Sequence, residues 1–343
     1  MALGAIFLLG IVLFIALGVV FTVAFSKEIK SEFAKMNSAE TSDYTADADG
    51  LKEVWSSDYK IPDDLGDDAV IPKAVRIPLT GMIDLADDGR GILRSESTTA
   101  STLRAIRRAT EDPTVDAILL EVDSGGGGIT ASDILYHALV QFKESNSSRR
   151  IIVLMGDMAA SGAYYASLPA DRIIAHPTTV TGSIGVIMSS VSVYRLADKL
   201  GIADESITSG PNKAILNPMR ELTEEQRALL QGTVDELYAR FAGLVSLHRK
   251  IPMEKVKTIA DGRIYTAKQA LDLQLIDSIG YLDDARAAVY EALGNPANGV
   301  EFCSYEHKNS LRDIFTSPDF WGAAISRAIP AAEAAPAQRI QLR

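Results

Sequence analysis

Ile151-Ile-Val-Leu-Met-Gly-Asp-Met-Ala-Ala-Ser-Gly-Ala-Tyr-Tyr165 is the stretch on which the reading of this chain turns. An apolar run of strand length, residues 151–155, passes into Gly, Ala and Ser and then into a segment that suits a helix. Such a strand–turn–helix step holds a side chain at the mouth of an α/β sheet. Ser161 stands there among small neighbours, which let backbone and substrate approach its hydroxyl. Two readings share these residues: a serine nucleophile, or a helix N-cap in a tight packing turn. Nothing local separates them.

Outward from this stretch, strands and helices alternate. Residues 74–79 read as a strand and 80–83 as the turn after it. Residues 101–110 have helical spacing that stops before Asp112-Pro113. Residues 117–122 are a strand running into Asp123-Ser-Gly-Gly-Gly-Gly128, and 129–143 an amphipathic helix with Thr130 or Ser132 as its cap. Downstream, 171–175 and 205–208 read as strands, 181–188 as glycine turns mixed with a buried strand, and 193–200 as a helix. Residues 209–218 form a loop ending at Pro218. Thr223-Glu-Glu-Gln226 is a capping box opening a long helix to about Arg249, Thr266 opens a short one, and 276–280 close the sheet. From Asn295 the signal fades, although 311–328 have amphipathic spacing ahead of an Ala/Pro-rich tail. The alternation predicts a mostly parallel α/β sheet with right-handed crossovers.

The glycine run offers three chemistries. A phosphate loop would need Gly-Lys-Ser/Thr, which does not follow. Gly126-x-Gly128-x-x-Ala131 is a weak dinucleotide fingerprint, and the acid it wants about 20 residues on is missing, since Asp157 comes too late. Half of an oxyanion hole needs only a nucleophile nearby, and the next strand supplies Ser161. A serine also needs a base. The four histidines (His137, His176, His248, His307) show neither an obvious triad arrangement nor metal-ligand spacing, and no metal or other cofactor is expected. A lysine base must shed its proton near neutrality, which takes about 4 kcal/mol of desolvation and local charge. Lys213, between Pro211 and Pro218 and followed by Ala-Ile-Leu, has such a setting; a solvated loop lysine is the rival reading.

Composition adds two segments. Residues 1–26 carry no charged side chain, and as a helix 2–25 would be roughly 36 Å long, enough to cross a hydrocarbon core of ~30 Å. With no basic residue before it and no clear Ala-x-Ala exit, an uncleaved anchor is expected rather than a signal peptide. Residues 36–70 hold ten acids against two bases, most of the chain's net charge of −11. The expected organisation is a transmembrane anchor (1–26), an acidic stalk (27–70), a catalytic domain (71–294) and a C-terminal extension with a tail (295–343). The near-balanced remainder argues against nucleic acid as a partner, and one cysteine, Cys303, rules out an intramolecular disulfide.

Four motifs now stand in order: strand-Asp-Ser-Gly-Gly-Gly-Gly, strand-Gly-Asp-Met-Ala-Ala-Ser-Gly-Ala-Tyr-Tyr, Thr181-Gly-Ser-Ile-Gly-Val186 and Gly210-Pro-Asn-Lys-x-x-x-x-Pro218. Together they resemble the signal peptide peptidase A family of membrane-bound bacterial Ser/Lys proteases, over residues 73–284. The resemblance implies a Clp protease/crotonase-like fold of stacked ββα units. It implies Ser161 as nucleophile, Lys213 as general base, Ser183 as the serine that hydrogen-bonds the lysine, and the Gly127 and Gly162 amides as oxyanion donors. It further implies hydrophobic peptide substrates such as cleaved signal peptides. The length implies the half-size form, for which the family suggests a homo-oligomeric ring with composite sites. Where the family reads Asn-Ser-Pro-Gly-Gly-Gly, this chain has Asp123 and Gly125, a looser loop with an added acid.

Two other functions compete. A catalytically weak membrane scaffold would keep the fold and assemble partners through the stalk. A crotonase-like acyl-CoA enzyme would use the glycine amides for an enolate, but gains nothing from Ser/Lys. Lys27, Lys30 and Lys35 after the anchor lean towards a cytoplasmic domain by the positive-inside rule. The resemblance implies instead a single-pass cell-membrane protein with its catalytic domain outside the cytoplasm, and that is the expectation carried forward.

Overall fold

The computed structural model describes residues 51–55, 71–85, 98–296 and 299–307. The expected anchor (1–26), the 311–328 helix and the tail lie outside these residues. Among the described residues no helix is long and apolar enough to cross a membrane. The chain divides into residues 1–52 and 53–343, and the larger unit is the one described below.

The strands are β1 (Leu51–Trp55, whose last three residues belong to this unit), β2 (Lys73–Ile83), β3 (Val115–Gly127), β4 (Arg150–Ala160), β5 (Arg172–Ala175), β6 (Val180–Gly182), β7 (Ile264–Thr266), β8 (Ser278–Ile279) and β9 (Glu301–His307). The helices are α1 (Thr98–Glu111), α2 (Ile129–Ser145), α3 (Gly162–Ser167), α4 (Tyr194–Lys199), α5 (Glu224–Arg249), α6 (Met253–Ile259), α7 (Ala267–Asp272) and α8 (Leu282–Ala292). The sheet runs β1-β9-β2-β3-β4-β5-β8, with β6 pairing the far end of β4 and β7 pairing β6. Pairings of β2 with β9 and β3, of β3 with β4, of β4 with β5 and β6, and of β5 with β8 are parallel; β6–β7 is antiparallel. This mostly parallel sheet under helices fits the Clp protease/crotonase-like expectation.

Period-2 alternation distributes each central strand over two cores. Ile118, Leu120 and Val122 of β3, with Ile151, Val153 and Met155 of β4, face the larger core beside Leu103, Ile106, Leu135 and Phe142 of α1 and α2. Ala117, Leu119, Ile152 and Leu154 face the other side, covered by Ala285, Ala288 and Val289 of α8. Each such Leu, Ile or Val contributes about 1.5–3 kcal/mol, so the double-sided burial holds β3 and β4 as the rigid centre of the molecule.

Several local expectations change. Residues 80–83 continue β2 instead of turning, because Met82 and Ile83 pair with Gly126 and Gly127. The helix at 129 takes Gly128 as N-cap, with no side-chain cap from Thr130 or Ser132. Residues 205–208 form no strand, and Ile207 is fully exposed; of 181–188 only Thr181 and Gly182 are in a strand, although Ile184 is buried. Both capping boxes, at Thr223 and Thr266, are formed. Three strands fall where no periodic signal stood, among them β7 just ahead of the Thr266 helix. β1 lies within the expected stalk, and β9 lies past Asn295, inserted between β1 and β2. Buried Lys73 ties this edge by ion pairs to Glu53 of β1 and, at 3.0 Å, to Asp112.

Candidate active site

The ends of three strands shift register at one level. β2 slips against β3 between Thr80 and Met82, and β3 slips against β4 between Val122 and Ser124. Beyond the slip β4 leaves β5 and pairs with β6, Ala160 opposite Gly182. Threonines fix this departure: Thr179 Oγ1 donates to the Gly156 carbonyl at 2.6 Å and Thr181 Oγ1 to that of Ala159 at 2.6 Å. The chain then reverses into α3 at Ser161, whose φ of 53° and ψ of −121° lie in a region a side chain rarely occupies. Such a backbone costs of order 1–3 kcal/mol and persists only where surrounding contacts enforce it. It is the sharp strand-to-helix turn that lifts a serine hydroxyl clear of a sheet.

The glycine run packs against this turn. Gly126, at φ +94°, lies so close that an added Cβ would stand 2.6 Å from the Gly162 nitrogen and 2.9 Å from Ser161 Cβ. A Cβ on Gly162 would meet Ser132 Oγ at 2.2 Å and the Gly127 nitrogen at 3.3 Å. The backbones of Gly127 and Gly162 are therefore side by side next to Ser161. Gly162 opens α3, where an amide has no intrahelical acceptor. The loop is held from beneath: the Gly126 N–H donates to Ser124 Oγ at 3.0 Å, the Gly128 N–H to the Ile83 carbonyl at 2.8 Å, and Ser132 Oγ to the Gly128 carbonyl at 2.9 Å. Ser124 is buried and had no sequence signal beyond its place in the motif, while Ser132, a candidate helix cap by sequence, serves the loop instead. Asp123 accepts the Met158 N–H at 3.1 Å, and Gly125 backs onto Met158 Sδ.

Ser161 and Ser183 line one cavity of about 540 Å³. Its walls include Val186, Val234 and Tyr238, and Lys257 and Asp261 stand at its rim. The rim charges are engaged locally, Asp261 by Arg263 at 2.7 Å and Lys257 by Glu254 at 3.4 Å. Lys213 is exposed and is not among the residues lining this cavity. Its loop is nevertheless built in place. Gln226, the capping-box residue of α5, donates to the Pro211 carbonyl at 3.1 Å, and Asp204 receives Asn217 at 2.8 Å and also pairs with Arg220. So one chain brings together Ser161, Ser183, Gly127 and Gly162, and holds Lys213 on a separate, ordered loop. His176 is turned to the backbone, its Nδ1 2.7 Å from the Met155 carbonyl.

A second polar cluster lies behind the turn. Tyr165, one turn into α3, donates its N–H to the Ser161 carbonyl at 2.9 Å and its hydroxyl to Asp133 Oδ1 of α2 at 2.5 Å. Arg240 of α5 donates to the same oxygen through Nη2 at 2.6 Å and Nε at 3.1 Å, and Nε also reaches the Tyr165 hydroxyl at 3.0 Å. Burial works to raise the Asp133 pKa, but the bonds from Tyr165 and Arg240 outweigh it and hold the carboxyl below its ordinary range. Burial and the bond to Asp133 push the Tyr165 hydroxyl up, so it stays a donor. Sequence reasoning did not single out Asp133 or Arg240, since residues 107 positions apart carry no shared local pattern.

Residues 143–294 match the family described as peptidase family S49. A Synechocystis sp. protein provisionally named a protease is 34% identical over 247 residues, 72% of this chain and 84% of that one. An Enterococcus faecium protein provisionally named signal peptide peptidase SppA is 35% identical over 239 residues, 69% of this chain and 68% of that one. Protease 4 of Salmonella typhi is 36% identical over 191 residues, 56% of this chain and 30% of that longer one.

Proposed function

The chain belongs to peptidase family S49, the signal peptide peptidase A family, and from that membership we propose a membrane-anchored serine endopeptidase that cuts hydrophobic peptides such as cleaved signal peptides. Ser161 Oγ attacks the peptide carbonyl while Lys213 takes its proton. The Gly127 and Gly162 amides stabilise the tetrahedral oxyanion, and the lysine then protonates the departing amine before water resolves the acyl-enzyme. Ser183 hydrogen-bonds the lysine and orients it. The observation that carries this reading is the strained turn at Ser161, with the glycine backbones packed against it and Ser183 in the same cavity.

Lys213 enters from a second copy of the chain. Its loop is exposed, and the segment before it, joined to it by the Val193 N–H to the Pro218 carbonyl at 2.8 Å, carries the exposed apolar side chains of Ile187 (82%), Val191 (76%) and Leu200 (65%). Exposed apolar side chains along one segment are what a contact with another chain would cover. A second copy closing over the loop would supply the desolvation a lysine base needs. The assembly is then a homo-oligomeric ring of half-size chains. Residues 1–26 anchor it in the cell membrane, 27–70 serve as an acidic spacer, and the catalytic residues lie on the extracytoplasmic side.

A serine-reactive phosphonate tests the nucleophile. The wild-type chain should be labelled and Ser161→Ala should not; labelling that persists in Ser161→Ala removes the assignment. Co-assembly tests the base. Ser161→Ala and Lys213→Ala chains, each inactive alone, should regain peptidase activity when refolded together. Mixtures that stay inactive would exclude the shared site, and full activity of Lys213→Ala alone would exclude the lysine.

A further inference from the structure

Helix α5 is a cantilever. Of its 26 residues, the buried ones are Phe241, Ala242 and Val245, all in the last third. Tyr238, just before them, is half-buried against the core, whereas the helix further towards its start is mostly exposed; Val234, Asp235 and Tyr238 form one wall of the cavity that holds Ser161. Arg240 sits between Tyr238 and Phe241, beside the last contacts of the helix with the core, and it is bonded to Asp133 and to the hydroxyl of Tyr165. Tyr165 is itself hydrogen-bonded through its backbone to Ser161, and its ring packs edge-on against Tyr136 and Phe241 at 5.5 and 5.0 Å.

We propose that Tyr165, Asp133 and Arg240 are positioning residues that set the angle at which the α5 wall stands over Ser161. The inference rests on the reading of Ser161 as nucleophile. Physical reasons favour position over mere stability. Asp133 and Arg240 are half exposed, with side chains 39% and 55% accessible, and a pair so exposed contributes little to folding by itself. What distinguishes this pair is a fixed fork: two guanidinium nitrogens and one phenol converge on a single carboxylate oxygen, which restricts orientation as well as distance. The lever lies at the fulcrum. Tyr238 and Val234 are two and six residues from Arg240, so at 1.5 Å per residue a small rotation there moves the wall roughly 3–9 Å further along by a proportionate amount. Tyr165, on the nucleophile helix, gives that rotation a reference fixed to Ser161. The substrate consequence is fit: an apolar side chain beside the scissile bond meets a wall at the right distance only while the fork is closed.

The test uses the full-length chain in its native assembly, with Tyr165→Phe, Asp133→Asn, Arg240→Gln and Arg240→Lys. Steady-state constants are measured on an apolar peptide, together with the rate at which a small phosphonate labels Ser161. The expected result is a rise in KM of about tenfold, with kcat and labelling changed less than about twofold. The Asp133→Asn/Arg240→Gln double variant should be no worse than either single one, and Arg240→Lys should fall in between. An unchanged KM beside a lowered melting temperature would make the cluster a structural tie and overturn the proposal, as would additive effects in the double variant. Should the Asp133 variant fail to fold, Tyr165→Phe, which keeps the ring contacts, carries the same readout. Wild-type chain that the phosphonate does not label would instead remove the underlying assignment of Ser161.

Discussion

The backbone N–H of Ser161 donates to the carbonyl of Gly182 at 2.9 Å, closing the last rung of the β4–β6 ladder. Ala160 is paired with Gly182, so Ser161 and Ser183 are the next residues on two adjacent strands. Both take a positive φ, 53° and 50°. The two residues line one cavity because two paired strands end together, each followed by a serine of positive φ. The Ser183 N–H is in turn held by the Arg263 carbonyl at 2.8 Å, so three segments fix one pair of serines.

The tightest contact at this turn gives a double-mutant prediction. Gly162→Ala should lose peptidase activity by more than about 100-fold, the scale of removing an oxyanion donor, because its Cβ would collide with Ser132 Oγ at 2.2 Å. Since that atom is a side-chain hydroxyl, adding Ser132→Ala should restore part of the lost thermal stability, leaving Ser132 Cβ at 3.2 Å. Equal melting temperatures for Gly162→Ala with and without Ser132→Ala would show that the backbone, not the hydroxyl, is the obstacle.

Asp123 carries a charge into a loop assigned to an anion. Its Oδ1 accepts the Met158 N–H, a bond that asparagine retains. Asp123→Asn should therefore keep the fold and raise kcat, by about fivefold if one exposed charge acts with roughly 1 kcal/mol. Asp123→Ala loses the bond as well and should lower activity. An unchanged or lower kcat in Asp123→Asn would show that the charge does not reach the oxyanion.

His248 predicts a pH dependence of stability. Burial, with the charges of Lys143 and Arg249 adding to it, holds its pKa below the ordinary 6.5, and its Nε2 lies 2.8 Å from the Tyr136 hydroxyl. Below 6.5 the unfolded chain binds a proton that the folded chain resists, so stability present at neutral pH is lost as pH falls through that window. Urea midpoints between about pH 7 and 5 should fall more steeply for the wild type than for His248→Gln. Parallel profiles would assign the acid limb to other groups.

Cys303 reports on the docking of β9. Burial pushes its thiol up to about 12, and it lies opposite Val75 on β2. At pH 8 it holds almost no thiolate, the reactive form. A disulfide reagent should label it slowly in the native chain and readily in urea. Rapid native labelling would mean that β9 leaves the sheet on the timescale of the reaction.

What the sequence determined by itself was local and chemical. The apolar run before Ser161, the glycines after Val122 and the capping boxes at Thr223 and Thr266 each announce their element through backbone needs that neighbouring residues satisfy. The order of four motifs was enough to point to a family. Strand limits were less legible: β2 and β3 run on through Ile83 and Gly127 because each pairs with the other, a fact about partners rather than propensity. β1 and β9 had no signal, since each is made a strand by its neighbours, β1 at the sheet edge by β9, and β9 by β1 and β2. Only the tertiary structure decided that Ser183 stands beside Ser161, that Gly126 presses on the turn, and that Asp133, Tyr165 and Arg240 converge. Those arrangements join residues 22 to 107 positions apart. They depend on sheet register and on the angle of a helix, which the packing of the whole unit sets and no single segment encodes.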